Sequence, residues 1–239
     1  MSVARNTLVQ SSLTLASRIL GMVRDILLIA KIGAGPIGDA WATAQQFPNL
    51  FRRIFAEGAF ASAFVPTYAR TLEAEGAEAA RDVAQEALRV LFAATAALTI
   101  VAQIFMPWVL LLIHGGQADD PESYGLAVLL TRITMPYLTF MAIAALLSGV
   151  LNSAERFVLS AGVPTLLNLC LIPAAFVAPD AERTALAAAM AYFVAGLLQA
   201  GALWWGVNRQ KVRLSLIGWP RLTPAVKKVL KLAIPGTIA

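Results

Sequence analysis

Charged side chains stand inside the first long apolar stretch of the sequence, where a hydrocarbon environment would oppose them. Residues 8–32 include Ser17, Arg18, Arg24 and Asp25. On a predicted helix, Arg18 and Asp25 share one face and Arg24 lies about 120° around from Arg18. An arginine or aspartate at the centre of a membrane span costs about 2.5–3.5 kcal/mol on insertion scales. Such residues are tolerated where they pair with one another or face a water-filled cavity.

A second apolar stretch, residues 39–68, carries a second polar set: Asp39, Pro48, Asn49, Arg52, Arg53 and Glu57. Arg53 and Glu57 stand at i and i+4, the spacing at which opposite charges can pair on a helix. Pro48 lacks a backbone donor and is expected to kink the helix one turn before Arg52. Gly21 is expected to loosen the first helix in a similar way.

These arginines predict an anion site between two helices. The planar guanidinium binds phosphate through two parallel hydrogen bonds, so several inward arginines suit a di-anionic or polyphosphate head group. The alternative is a set of ion pairs that only fixes helix packing. The excess of cations over acids favours the anion site. Arg132 falls near the end of a later span, where a side chain that reaches towards the membrane surface is the simpler interpretation.

The composition requires a membrane around these helices. Of 239 residues, 59% are hydrophobic and 14% are charged, and the mean hydropathy is +0.71. Soluble domains have about 45–50% apolar and about 25% charged residues. The predicted fold is an all-α polytopic transmembrane helix bundle with six spans and the start of a seventh. The predicted spans are residues 8–32, 39–68, 90–113, 124–151, 157–177, 185–207 and 226 onwards, with a polar helix over 72–89.

Two units are predicted along the chain. Residues 1–208 form a six-helix lobe, and residues 209–239 form a basic connector followed by the start of the seventh span. That span is cut at Ala239, so we expect the chain to be part of a longer protein.

The distribution of basic residues predicts a cytoplasmic N-terminus. Loops that would share its side contain Arg5, Arg70, Arg81, Arg89, Arg156, Arg209, Lys211, Arg213, Arg221, Lys227 and Lys228. The opposite side has only Lys31 and Arg183. Cytoplasmic loops carry such an excess. Because the charge is explained by topology, no nucleic-acid partner is expected.

The sequence offers little for catalysis or metal binding. It has one histidine, His114, and one cysteine, Cys170. Neither a metal cluster nor a nucleophile with a histidine base can be built from them, so no catalytic residue, metal or cofactor is predicted. Asp119 and Asp120 are the only neighbouring acids in a predicted loop, and no basic cluster adjoins them.

A family resemblance rests on the same polar segments. SRILGMVRD (residues 17–25) and GDAWATAQQFPNLFRRIFAEGAFASAFVPTYA (residues 38–69) closely resemble the MurJ (MviN) family of bacterial lipid II flippases. Weaker likeness continues through ITMPYL, VLNSAERF and PTLLNL. The resemblance implies the N-lobe of a two-lobe fold of the multidrug/oligosaccharidyl-lipid/polysaccharide exporter superfamily. It also implies lipid II as the partner and a bacterial inner-membrane location.

The resemblance further implies roles for individual residues. Those implied to bind the pyrophosphate or line the cavity are Ser17, Arg18, Arg24, Asn49 and Arg52; those implied to orient the arginines or form gates are Asp25, Asp39 and Glu57. Another essential arginine and the sodium site of the family would lie in the missing C-lobe. Transport of lipid II from the cytoplasmic to the periplasmic leaflet by alternating access, for peptidoglycan synthesis, is therefore expected only of the complete protein.

Three other functions stay open at this point. One is export of drugs or polysaccharide-linked lipids by a member of the same superfamily. Another is a membrane-integral enzyme acting on polyprenyl phosphates, which would also need arginines but usually has an acidic metal-binding pair or a loop histidine. The third is a scaffold whose intramembrane charges bind partner helices.

Overall fold

The computed structural model describes residues 3–55, 59–113 and 120–233, and in these residues every regular element is helical. The helices are α1 (Val3–Ile32), α2 (Pro36–Phe55), α3 (Ala59–Glu75), α4 (Ala77–Ile113), α5 (Pro121–Thr134), α6 (Tyr137–Ser153), α7 (Phe157–Leu171), α8 (Ala174–Val177), α9 (Ala181–Arg209) and α10 (Pro224–Ala233). The all-helical fold class is as predicted from the sequence.

Several boundaries differ from the predicted spans, each for a local reason. The predicted polar helix over 72–89 is divided at Gly76, whose φ of +90° is rarely adopted by other residues. The part of this polar helix that follows Gly76 is the start of α4 and continues without interruption into the apolar part of α4. The predicted fourth span is divided between α5 and α6 beside Pro136, because proline supplies no backbone donor. The first helix, in contrast, runs unbroken through Gly21.

Among the described residues, four segments are long and apolar enough to cross a membrane: Ala77–Ile113, Pro121–Ser153, Phe157–Val177 and Ala181–Arg209. Polar and charged side chains keep α1 and α2 out of this set. The prediction that α1, α2 with α3, and α10 also belong to spans stays a prediction.

The bundle is built around the α5–α6 segment. In its most apolar window 78% of residues are buried, against 17% for α4, which lies at the outside. α6 packs on α9, α4, α3 and α2. The outer surfaces of α4 and α9 expose large apolar side chains such as Phe105, Trp108, Phe193 and Trp205. An apolar belt of this kind is suited to lipid rather than to water.

Close helix contact in the bundle depends on small residues, as the Ala- and Gly-rich spans predict. A Cβ atom on Gly196 of α9 would lie 2.9 Å from Phe140 and 3.0 Å from Tyr137 of α6. The absence of a side chain at Gly196 therefore sets the distance between these helices.

Prolines inside helices leave carbonyl groups that side chains from other helices satisfy. Pro48 cannot donate to Ala44, whose carbonyl accepts instead from Thr134 Oγ1 of α5 at 3.2 Å. Pro107 likewise frees the carbonyl of Gln103, which accepts from Arg132 Nε at 2.9 Å.

The contact between Gln103 and Arg132 is reciprocal. Pro136 frees the carbonyl of Arg132, and Gln103 Nε2 donates to it at 2.7 Å. Arg132 is partly buried. The carbonyl of Gln103 thus gives the Nε of Arg132 a partner on α4, and the expectation that the side chain reaches towards the membrane surface stays a prediction.

The connector after α9 is fixed to the polar first half of α4. Gln85 binds the backbone of Ser215 in both directions, accepting from its N–H at 2.8 Å and donating to its carbonyl. Arg89 Nη2 donates to the Ile217 carbonyl at 2.8 Å, and Glu86 accepts from the Arg221 N–H at 3.2 Å. α10 then packs mainly on α3.

Candidate functional site: a polar cavity along the first helix

One side of α1 carries a continuous polar stripe. At 100° per residue its members fall within about 140° of arc: Gln10, Ser11, Thr14, Ser17, Arg18, Gly21, Arg24 and Asp25. Beside the stripe lies an exposed apolar face with Leu15, Ile19, Met22 and Ile26. α1 therefore has a polar face that suits water and an adjoining face that suits an apolar environment.

The first half of this stripe lines a cavity of about 330 Å³ between α1, α3, α6, α7 and α9. Its polar wall is formed by Gln10, Thr14, Ser17, Arg18, Ser148, Asn152, Ser160 and Gln199. Ser160 Oγ donates to Asn152 Oδ1 at 2.5 Å, and Gln199 accepts from the Tyr137 hydroxyl at 3.0 Å. Among the described lining residues, Arg18 is the only arginine, lysine, aspartate or glutamate, so the cavity has positive potential.

Arg18 is free to bind an anion. Its side chain is exposed, and no hydrogen bond or ion pair joins it to any residue that the structure describes. A guanidinium has five N–H donors and no acceptor. Its N–H groups are therefore available to water, to a ligand with acceptor atoms or to acceptors outside the described residues.

Arg24 belongs to a network nearly two helical turns beyond Arg18, the last residue of α1 that lines the cavity. Its Nε and Nη2 donate to Asp25 Oδ1 at 2.9 and 2.7 Å, and its Nη1 donates to Asn168 Oδ1 of α7 at 3.0 Å. The Arg24 side chain is 12% exposed and that of Asp25 is 51% exposed. Arg24 is therefore held in one orientation from two directions.

The predicted residues of the second stretch are placed less completely. Asp39 is exposed in the first turn of α2, where the helix dipole favours a negative charge. Asn49 and Arg53 are exposed on the same helix. Arg52 belongs to α2, but its side chain lies outside the described part of the structure, as does the whole of Glu57. Both keep their roles as predictions.

Two buried amides were missed by the sequence analysis. Asn168 is 4% exposed and Gln199 is 2% exposed. Each is a polar residue in an apolar helix, where an unsatisfied amide is costly and a partner must be found. That signal could have identified them, but the partners come from other helices and are not apparent from the local pattern.

Metal binding has no support in the described residues, which contain no group of three or more His, Cys, Asp or Glu able to hold an ion. His114 and Asp119 lie outside the described residues, while Asp120 caps the N-terminus of α5 by accepting from the Glu122 N–H.

Comparisons with known proteins agree on one family. The family profile described as lipid II flippase MurJ matches residues 29–239. A probable lipid II flippase MurJ from Rhizobium tropici is 41% identical over an alignment of 246 positions that covers 100% of this chain and 45% of that protein. The lipid II flippase MurJ of Burkholderia cenocepacia is 38% identical over 100% of this chain and 47% of its own length.

A solved structure shows the same fold. It is titled lipid II flippase MurJ, inward closed conformation, and it superposes with a TM-score of 0.77 and 24% sequence identity over 95% of this chain and 47% of that chain. The chain thus spans about half the length of the relatives that it matches. Because the family profile covers most of its residues, the chain belongs to the MurJ family.

Proposed function

We propose that this chain is the N-lobe of a lipid II flippase, which moves undecaprenyl-pyrophosphate carrying the peptidoglycan precursor from the cytoplasmic to the periplasmic leaflet. Residues 1–208 form the lobe, and residues 209–239 lead through the connector into a seventh span. A C-lobe completes the cavity, and the two lobes move by alternating access. The observation that carries the proposal is Arg18, a guanidinium without a partner among the described residues, at the wall of an intramembrane cavity.

Arg24 supports the proposal through its donor count. Asp25 and Asn168 occupy three of its N–H groups, and a guanidinium has five. Two N–H groups therefore stay available, which is the number that one bidentate phosphate contact needs. With Arg52 from α2, these arginines would bind the diphosphate; Ser17 and Asn49 would add neutral hydrogen bonds. Asp25, Asp39 and Glu57 would orient arginines or form gates.

The ion pair between Arg24 and Asp25 also bears on the alternative of charges that only fix packing. The two residues are neighbours on one helix, so their salt bridge cannot by itself join α1 to another helix. Arg18 has no carboxylate partner in the described residues and stabilises no helix pair through an ion pair. A packing role does not explain Arg18, and it explains Arg24 only through the hydrogen bond to Asn168 of α7, whereas an anionic ligand accounts for both arginines.

Rival activities have weaker support. A polyprenyl-phosphate enzyme would need a metal-binding acidic pair or a loop histidine near the arginines, and in the described residues the acid closest to them, Asp25, is already bound to Arg24. Another exported lipid would be bound by the same chemistry. Lipid II is favoured over it because of the family to which the chain belongs.

The proposed location is the bacterial inner membrane with the N-terminus in the cytoplasm. In this orientation the basic connector and the three exposed lysines of α10, Lys227, Lys228 and Lys231, lie on the cytoplasmic side. This is the side on which basic loops accumulate.

The test is translocation of lipid II by the full-length protein. Arg24→Ala and Arg52→Ala are each expected to abolish the appearance of lipid II in the outer leaflet while the protein still inserts at its normal level. Arg81→Ala is the matched control, because Arg81 is exposed on α4 and pairs only with the neighbouring Asp82. Normal translocation by either of these two arginine variants would refute the diphosphate assignment; loss of protein from the membrane would instead favour the scaffold.

A further inference from the structure

Asn168 joins the polar stripe of α1 to α7. Its side chain is almost completely buried, with 4% exposed. The amide Nδ2 donates to the Ser17 carbonyl at 2.9 Å, and the amide Oδ1 accepts from Arg24 Nη1 at 3.0 Å. Ser17 and Arg24 are two helical turns apart on one side of α1, so a single side chain of α7 spans this part of the stripe.

Gly21 of α1 lies beside this contact. A Cβ atom on Gly21 would lie 3.7 Å from both amide atoms of Asn168. The amide therefore lies across the helix at Gly21, between Ser17 and Arg24. At this distance a Cβ atom would be in ordinary van der Waals contact with the amide, and Gly21 does not interrupt α1.

The chemistry of the two partners fixes the amide in one orientation. A backbone carbonyl can only accept, and a guanidinium can only donate. Exchange of the amide oxygen and nitrogen would leave both contacts repulsive. Among residues of this size, only asparagine offers one donor and one acceptor: aspartate could not donate to Ser17, and leucine could do neither.

We propose that Asn168 is a positioning residue that holds the Arg24 guanidinium so that its two free N–H groups are presented to a diphosphate. This inference rests on the proposed function. Without Asn168, Arg24 would be tied only to Asp25, a half-exposed residue of the same helix. The guanidinium could then rotate with that carboxylate, and the fork geometry on which bidentate binding depends would be lost.

The test is a double-mutant cycle on lipid II binding to the full-length protein in nanodiscs. Asn168→Leu is expected to raise the Kd for lipid II about tenfold when Arg24 is present, since a hydrogen bond to a charged group is lost. With Arg24→Ala the same change should alter the Kd less than about twofold, because contacts that act through one residue are not additive. Asn168→Ala removes the same two contacts and should show the same coupling if the leucine variant does not fold.

Gln103→Met is the matched control. It removes another amide that bridges two helices, α4 and α5, but one that does not line the cavity or contact Arg24. Its effect on the Kd should be small and equal in both backgrounds.

The possible failures are distinguishable. If Arg24→Ala leaves the Kd unchanged, the assignment of Arg24 to the substrate fails, and the role of Asn168 fails with it. If Arg24→Ala weakens binding but Asn168→Leu has no effect, or has the same effect in both backgrounds, the positioning role alone is overturned.

Discussion

Single residues of the site differ in how they are held, although the sequence presents them as one group. Arg18 faces a cavity without a protein partner in the described residues, whereas Arg24 donates to Asp25 and Asn168. Both arginines are expected to contact the same ligand. The required geometry differs: Arg24 must satisfy partners in two directions and still have free N–H groups, while Arg18 needs only to reach the cavity.

Arg24→Lys should therefore impair translocation much more than Arg18→Lys. An ammonium has its three donors on one nitrogen and cannot reach Asp25 and Asn168 while keeping a bidentate face for phosphate. We expect at least about a tenfold loss for Arg24→Lys, equivalent to about 1.4 kcal/mol. The measurement is the initial rate of lipid II translocation divided by the amount of inserted protein. Equal losses for the two lysine variants would contradict this distinction.

At this scale the sequence predicted the unusual residues but not their partners. Arg18, Arg24 and Asp25 are conspicuous because charge is costly in an apolar helix, and Ser17 is the polar neighbour of Arg18. Asn168 comes from a helix more than a hundred residues away, and its spatial position depends on how α7 packs on α1. Local patterns do not contain that information.

Prolines inside the helices of this lobe affect both the helices themselves and the contacts between them. The sequence predicts that each internal proline weakens a helix. It does not predict that Thr134 and Arg132 satisfy the carbonyls freed by Pro48 and Pro107. Those donors lie on a segment near the centre of the bundle, and only its packing against α2 and α4 brings them to the vacant acceptors.

The contact between Arg132 and the Gln103 carbonyl can be tested by restoring the missing donor. Arg132→Met leaves that carbonyl unpaired at a partly buried position, a loss of about 1–3 kcal/mol. In a Pro107→Ala background the backbone N–H of residue 107 can bond to the same carbonyl, so the loss should shrink. The measurement is thermal unfolding of the purified full-length protein in detergent, analysed as a double-mutant cycle.

Arg81, which is exposed on α4, the helix that contains Pro107, provides the control for that cycle. Arg81→Met should change stability by no more than about 0.5 kcal/mol in either background. An Arg132→Met effect of equal size with and without Pro107 would show that the freed carbonyl is not the reason for the contact.

On the scale of the whole molecule, the cavity is assembled from α1, α3, α6, α7 and α9, which are mostly distant in sequence. Composition predicted a membrane bundle, and the order of apolar segments matched most of its helices. The residues that line the cavity could not be predicted in this way, because their identity depends on which faces of five helices meet. The family resemblance suggested the proposed function. The cavity between these five helices is consistent with it.

The proposed orientation of the bundle rests on the basic connector and can be measured with single cysteines. α9 has 29 residues, so at 1.5 Å per residue it is about 43 Å long and exceeds a hydrocarbon core of about 30 Å. Glu182, near its start, and Trp219, in the connector after its end, are both exposed. The chain's one native cysteine, Cys170, can be removed as Cys170→Ser.

In the Cys170→Ser background, a membrane-impermeant maleimide should label Glu182→Cys in intact spheroplasts of cells producing the full-length protein. Trp219→Cys should react only after the membrane is permeabilised, because the excess of Lys and Arg retains the connector in the cytoplasm. The opposite pattern would reverse the proposed topology and the direction in which the cavity must deliver its lipid. Equal labelling of both sites before permeabilisation would mean that α9 does not separate the two compartments, and a flippase could not be built on such a lobe.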